Sequence, residues 1–171
     1  FAPPYEAPYS QVLQEGILKL RHYTPHSKVP QDRSLAPVLL IPPLMVTAQV
    51  YDISPALSSI QILLKAGCDV WLSDFGIPEK EPGGMERTLD DHLLAIDRAI
   101  TFIAESTGQS VHLLGYSQGG MFAYQVAAFR NSKDIESVIT FGSPVDLSRN
   151  APGKVHGDLV QRTFSAIRST L

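Results

Sequence analysis

A chain of 171 residues has the length of one domain, enough to bury most of its apolar surface. Hydrophobic residues make up 44%, charged residues 18%, and the net charge is −3 with no basic cluster, so nucleic acid is not an expected partner. The longest apolar runs, such as 37–46, fall far short of the roughly 20 residues a membrane span needs, and the one cysteine, Cys68, excludes an intrachain disulfide and fits a reducing, cytoplasmic setting.

Along the chain, residues 1–16 are rich in Pro, Tyr and polar groups and read as a leader lying on the surface, with the domain proper over 17–171. Residues 17–23 (ILKLRHY) alternate apolar and polar side chains, as a half-exposed strand does, and 24–36 is a loop. Residues 37–41 (PVLLI) form a continuous apolar run bounded by prolines, the pattern of a strand buried on both faces. Ser54 is placed to cap a helix with Pro55 at its first position and Gly67 at its end. Residues 69–73 (DVWLS) predict another buried strand, and 76–87, with two prolines and three glycines, an irregular loop. Thr88 and Asp91 form a helix start related to the capping box. Leu89, Leu93, Ile96, Ile100 and Ile103 supply that helix with an apolar stripe, and Gly108 stops it. A strand over 110–114, a helix over 118–130 and a strand over 135–141 follow, then a helical pattern over 157–171 with no stop signal. Short apolar strands alternating with helices predict a mostly parallel sheet covered on both faces, with 17–23 able to lie antiparallel at its edge. The missing start and stop signals predict the N-terminal portion of a longer domain whose last strands lie beyond Leu171.

Residues 111–120 read VHLLGYSQGG, and Gly115-Tyr116-Ser117-Gln118-Gly119 fits G-x-S-x-G with an apolar strand before it and an amphipathic helix after it. That is the nucleophile elbow of an α/β-hydrolase, in which a sharp, strained turn lifts the serine oxygen above the carboxyl end of the sheet. Side chains at 115 and 119 would collide with the neighbouring helix and strand, so both positions must be small. The helix from Gln118 points its positive end at the site, where negative charge develops. Two backbone N–H groups are needed for the oxyanion. One is Gln118, the residue after the nucleophile. The other is expected from the loop after 37–41, where Pro42 and Pro43 have no N–H, which leaves Leu44 first and Met45 second.

In this fold the acid and then the histidine follow the serine. His156 is the sole histidine after Ser117 and falls early for that role, so it reads either as the base or as an exposed loop histidine. Asp146 follows a strand end at Phe141-Gly142-Ser143-Pro144 and reads either as a functional carboxylate or as a turn residue. His112 reads as a core or face histidine, His92 and Asp91 as solvated first-turn residues, and Cys68 as a packed thiol. No metal-ligand cluster, dinucleotide loop or phosphate loop is present, so no cofactor or metal is implied.

From about residue 17 to 152 the sequence resembles polyhydroxyalkanoate synthases, especially the short-subunit kind, and their α/β-hydrolase relatives. The resemblance rests on Val38–Leu44 (VLLIPPL), Tyr51-Asp52-Ile53 with Ser54-Pro55, Gly67–Pro78 (GCDVWLSDFGIP), Leu89-Asp90-Asp91, Leu113–Gly120 (LLGYSQGG) and Ser143-Pro144-Val145-Asp146, in the family's order. It implies an α/β-hydrolase fold and transfer of acyl groups, with an acyl ester or acyl-CoA as substrate. The synthases use a cysteine at the elbow, where this chain has Ser117. A thiolate exchanges readily with thioesters whereas a serine depends fully on its base, so the substitution favours hydrolysis or simple acyl transfer over polymerisation. A serine-dependent polyester synthase and a non-catalytic scaffold that keeps the fold are the other readings. The resemblance is compatible with a homo-oligomer or with fusion to an acyl-activating domain.

Overall fold

The computed structural model describes residues 5–23, 36–44 and 46–146. In chain order the strands and helices are β1 (Tyr9–Glu15), β2 (Leu18–Tyr23), β3 (Val38–Ile41), β4 (Asp52–Ser54), β5 (Leu57–Ser58), α1 (Ser59–Lys65), β6 (Val70–Asp74), α2 (Leu89–Thr107), β7 (Val111–Tyr116), α3 (Gln118–Phe129) and β8 (Ile135–Phe141). Six strands form one sheet in the order β1-β2-β6-β3-β7-β8, and β4 and β5 form a small separate hairpin. The strands β6, β3, β7 and β8 run parallel, while β1 and β2 add an antiparallel edge. This is the mostly parallel α/β-hydrolase sheet that the sequence predicts.

Alternation along the central strands splits the core in two. Leu39, Ile41, Leu113 and Trp71 face α2 and α3, where they meet Ile96, Ile100, Phe122 and Val126. Val38, Leu40, Val70 and Leu72 face α1 and the turn 48–51, where they meet Tyr51, Ile60 and Leu64. A strand covered on both faces has no polar positions to spare, which is why β3 reads as VLLI with all four residues buried. From β3 the chain moves one way along the sheet through α1 to β6, then turns back through α2 to β7 and onward to β8. The strand order therefore reverses at β3 and β7, and loops from their carboxyl ends meet across that crevice.

Three local expectations are corrected. Residues 9–15 are not only a surface leader: they form β1, exposed for most of its length and joined to β2 by backbone pairing, with the Arg21 guanidinium 4.2 Å from the centre of the Tyr9 ring. An edge strand with both faces near solvent carries the polar composition of a loop. The first helix starts at Ser59 with Ser58, not Ser54, as its cap. Ser54 Oγ instead accepts from the Leu57 N–H and closes the tight turn of the β4–β5 hairpin. On α2 the buried face is His92, Ala95, Ile96, Ala99, Ile100 and Ile103, so His92 is buried at 3% exposure while Leu89 is exposed. The α2 start is the capping box expected: Thr88 Oγ1 accepts from the Asp91 N–H and the Asp91 carboxylate accepts from the Thr88 N–H. The helix expected over 157–171 lies outside the described residues.

Candidate active site

Residues 111–120 fold as strand, single-residue turn and helix. Ser117 is the whole turn: it stands between β7 and α3 at φ 54° and ψ −119°, partly exposed. A non-glycine residue in that region costs about 1–3 kcal/mol and persists only when its surroundings force it. Here they do so by contact of backbone on backbone. A Cβ on Gly115 would lie 2.5 Å from the Gly119 carbonyl and the Gly120 Cα, and one on Gly119 would lie 2.0 Å from the Ile41 carbonyl oxygen. Gly120 is as tightly placed, since its Cβ would lie 1.9 Å from Ser143 Oγ. The Ser117 N–H donates to the Phe141 carbonyl at 2.7 Å, which ties the turn to the end of β8. Immediately beyond, the first backbone N–H groups of α3 have no carbonyl partner within the helix, and the helix dipole puts partial positive charge there.

The facing loop after β3 approaches the same point. Pro42 and Pro43 are buried, and the Leu44 N–H donates to the Gln118 side-chain oxygen at 3.2 Å. The structure therefore brings Leu44 to Gln118; Met45 lies outside the described residues. Beneath them, the Tyr51 hydroxyl donates to the carbonyls of Ile41 at 2.9 Å and Leu114 at 3.2 Å, joining the ends of β3 and β7. Burial raises the Tyr51 pKa above the tyrosine range, so the hydroxyl stays a donor. Sequence reading assigns Tyr51 no such role beyond its place in the Tyr51-Asp52-Ile53 segment of the resemblance; Asp52 beside it is buried and accepts from the Ala7 N–H at 2.5 Å and the Ser58 hydroxyl at 2.6 Å. On the other side, the Tyr124 hydroxyl donates to the Pro144 carbonyl at 2.8 Å and holds the segment that leaves β8 against α3.

Among the remaining titratable candidates, His22, His92 and His112 each have a hydrogen-bond partner of their own. His92 does not sit in solvent as expected: it stacks on Phe122 at 5.6 Å and meets Phe75 edge-on at 5.2 Å, with Nδ1 2.7 Å from the Thr88 carbonyl. Burial lowers its pKa, so it is neutral at pH 7. His112 is a face histidine, with Nδ1 2.7 Å from Ser137 Oγ on the adjacent strand. His22 pairs with Asp69 at 2.7 Å and stacks on Trp71. Asp146 is exposed just past β8, and His156 lies outside the described residues. Cys68 is partly covered by the α1 side of the core, and burial raises its thiol pKa, as befits a packed thiol. Among the described residues no group of three His, Cys, Asp or Glu side chains could hold a metal ion, and no helix is long and apolar enough to cross a membrane.

Two clefts flank these elements. One of about 450 Å³ adjoins the end of β7 on the α1 side and is mostly apolar, lined by Tyr51, Ile62, Leu63, Leu114, Tyr116 and Phe141. The other, about 480 Å³, lies at the far ends of α2 and α3 around Arg130, whose guanidinium is committed to Asp97, Thr101 and Asp134. Of these two, the first is bounded by Tyr116, next to Ser117.

No family model matches the chain. It is 31% identical over 185 residues to the poly(3-hydroxyalkanoate) polymerase subunit PhaC of Thiocystis violacea, covering 96% of this chain and 50% of that protein. It is 29% identical over 182 residues to the corresponding subunit of Allochromatium vinosum, covering 95% and 50%. The chain thus spans about half the length of these two curated relatives. Among solved structures it is similar to an arylesterase, with a TM-score of 0.60 and 16% identity over 90% of this chain and 50% of that one. A carboxylesterase of Nitrososphaera gargenis gives a TM-score of 0.55 and 20% identity over 92% and 51%. The Bacillus licheniformis lipase BlEst2, in its propeptide form, gives 0.57 and 19% over 73% and 25%. At such identities the likeness is one of fold.

Proposed function

Since the chain is a polyhydroxyalkanoate-synthase-like α/β-hydrolase, we propose that Ser117 is the nucleophile of an acyl transfer or hydrolysis acting on an ester or an acyl-CoA thioester. The single observation that carries this reading is the backbone of Ser117 at φ 54° and ψ −119°, held between β7 and α3 by glycines that admit no Cβ. Strain of that kind has no structural use in a plain strand-to-helix connection, whereas it presents a side chain at the helix N-terminus.

In this mechanism the Ser117 hydroxyl gives its proton to a general base as Oγ attacks the carbonyl carbon. The oxyanion takes hydrogen bonds from the backbone N–H groups of Gln118 and Leu44. Collapse expels the alcohol or thiol, which receives the proton, and water or another acceptor then removes the acyl group from Ser117. The base comes from outside the described residues, since His22, His92 and His112 are each engaged elsewhere. The apolar cleft beside Tyr116 is suited to the acyl chain. In the full-length protein, Ser117→Ala is expected to lower turnover of an activated ester or acyl-CoA by about 10⁴-fold or more at an unchanged urea midpoint. Retention of wild-type turnover would exclude the mechanism.

One observation favours a second reading: the curated relatives named above are polymerase subunits. Incubation with a hydroxyacyl-CoA separates the two, because hydrolysis releases free acid in step with coenzyme A whereas polymerisation accumulates insoluble polyester.

A further inference from the structure

We propose that the Gln118 side chain is an internal stand-in for the acyl carbonyl oxygen, bonded to the Leu44 N–H until substrate displaces it. This rests on the reading of Ser117 and of the Leu44 N–H given above. Leu44 carries the first N–H after β3, because Pro42 and Pro43 have none. That N–H donates to Gln118 Oε1 at 3.2 Å, and Oε1 is a neutral carbonyl oxygen, the same acceptor that an ester or thioester would bring. Gln118 is also the first residue of α3, so its own backbone N–H lies one side-chain length from the Leu44 N–H.

The loop does not need this bond to hold its place. Gly119 packs directly on the Ile41 carbonyl and on Pro42, where a Cβ would meet atoms at 2.0 and 3.0 Å. Pro42 and Pro43 are buried with fixed φ, and the Tyr51 hydroxyl anchors the Ile41 carbonyl from below. The Gln118 bond therefore covers a donor that is already in position. A partly buried N–H left without an acceptor is costly, and Gln118 spares the resting protein that cost. Substrate then exchanges one carbonyl acceptor for another, so the competing bond weakens binding and leaves the bound complex untouched.

The signature is a split between KM and kcat. Gln118→Met keeps the length of the side chain and the backbone N–H and removes the acceptor; in the full-length protein it is expected to lower KM for a p-nitrophenyl ester about three- to tenfold, by a larger factor than any change in kcat. Gln118→Asn, one methylene shorter, is expected to move KM the same way by less. Gln118→Glu sets a charged acceptor on the same N–H, where the oxyanion develops, and is expected to raise KM and lower kcat. Independently of activity, the Leu44 amide proton resonance is expected to move upfield in Gln118→Met. A strut that positions the loop would give the opposite split, with KM raised or kcat lowered in both Gln118→Met and Gln118→Asn, and that result overturns the proposal. An unmoved Leu44 resonance overturns it as well, whatever the kinetics. Persistence of turnover in Ser117→Ala would remove the nucleophile reading instead, while the Leu44 resonance still reports whether the contact exists.

Discussion

Two connections leave the carboxyl end of the sheet close together and are held by different balances of backbone contact and ion pairing. The turn from β7 to α3 is one residue long and is fixed by backbone contacts that leave no room for a methyl group at 115 or 119, with the Ser143 side chain against Gly120. The connection from β6 to α2 runs over 75–88; it has one such backbone contact, Gly84 on the Pro78 carbonyl, and is tied to its surroundings by ion pairs. Glu81 receives Lys19 and, at 2.6 Å, Arg87; Arg87 also donates to the Phe75 carbonyl at 2.5 Å, and Arg21 pairs with Asp74 at 2.6 Å. Contact between backbones is short-ranged, insensitive to salt and intolerant of substitution. Ion pairs near solvent are adjustable and screened. A nucleophile needs the first kind of support, because displacement by 1 Å can cost a hundredfold in rate.

The contrast breaks most visibly at Gly119. A methyl there meets the Ile41 carbonyl oxygen at 2.0 Å, so Gly119→Ala is expected to destabilise by about 3 kcal/mol or more, measured as a fall in the urea midpoint. A loss under 0.5 kcal/mol would mean that the turn yields easily and that its strain is not enforced.

His92 touches Phe75 at the start of one connection and Phe122 on α3, the helix that follows the other. Burial holds its folded pKa below the ordinary 6.5, helped by the Arg87 charge and opposed by the Thr88 carbonyl and Asp91. A depressed histidine stabilises in its neutral form. That contribution is complete above the unfolded pKa and is lost as pH falls from about 6.5 towards the folded value, with a slope of at most about 1.4 kcal/mol per pH unit. Urea midpoints at pH 7.5 and 5 are expected to fall for the wild type by more than for His92→Phe; parallel falls would place the titration elsewhere.

Glu81→Gln sharpens the other side of the contrast. It removes the charge shared by Lys19 and Arg87 at a partly exposed site, and a loss of about 1 kcal/mol or less is expected, shrinking further in 0.5 M salt. A larger loss that salt leaves unchanged would show that this connection too is locked by packing.

The same difference in forces decides what could be read from the sequence. Steric demands leave single-residue marks. Gly115 and Gly119 around Ser117, and Thr88 three residues before Asp91, each require one residue type at one spacing, and all are found where that spacing puts them. The sheet was legible for the same reason, since β3, β6 and β7 are buried on both faces or alternate cleanly. What escaped depends on partners distant in sequence. His92 is polar by type and buried because Phe75 and Phe122 close over it. The segment 9–15 becomes a strand because β2 pairs with it. Ser58 rather than Ser54 caps α1 because the Leu57 N–H has already taken Ser54. The contact between Gln118 and Leu44 joins residues 74 positions apart, with nothing local to announce it.

The measurement that bears most directly on Ser117 is the site of covalent capture. The full-length protein, treated with a fluorophosphonate and digested, is expected to carry one phosphonyl group on the peptide that contains Ser117, with labelling and ester turnover lost in parallel. Ester turnover that survives complete labelling, or an adduct on another residue while Ser117 stays unmodified, would contradict the account.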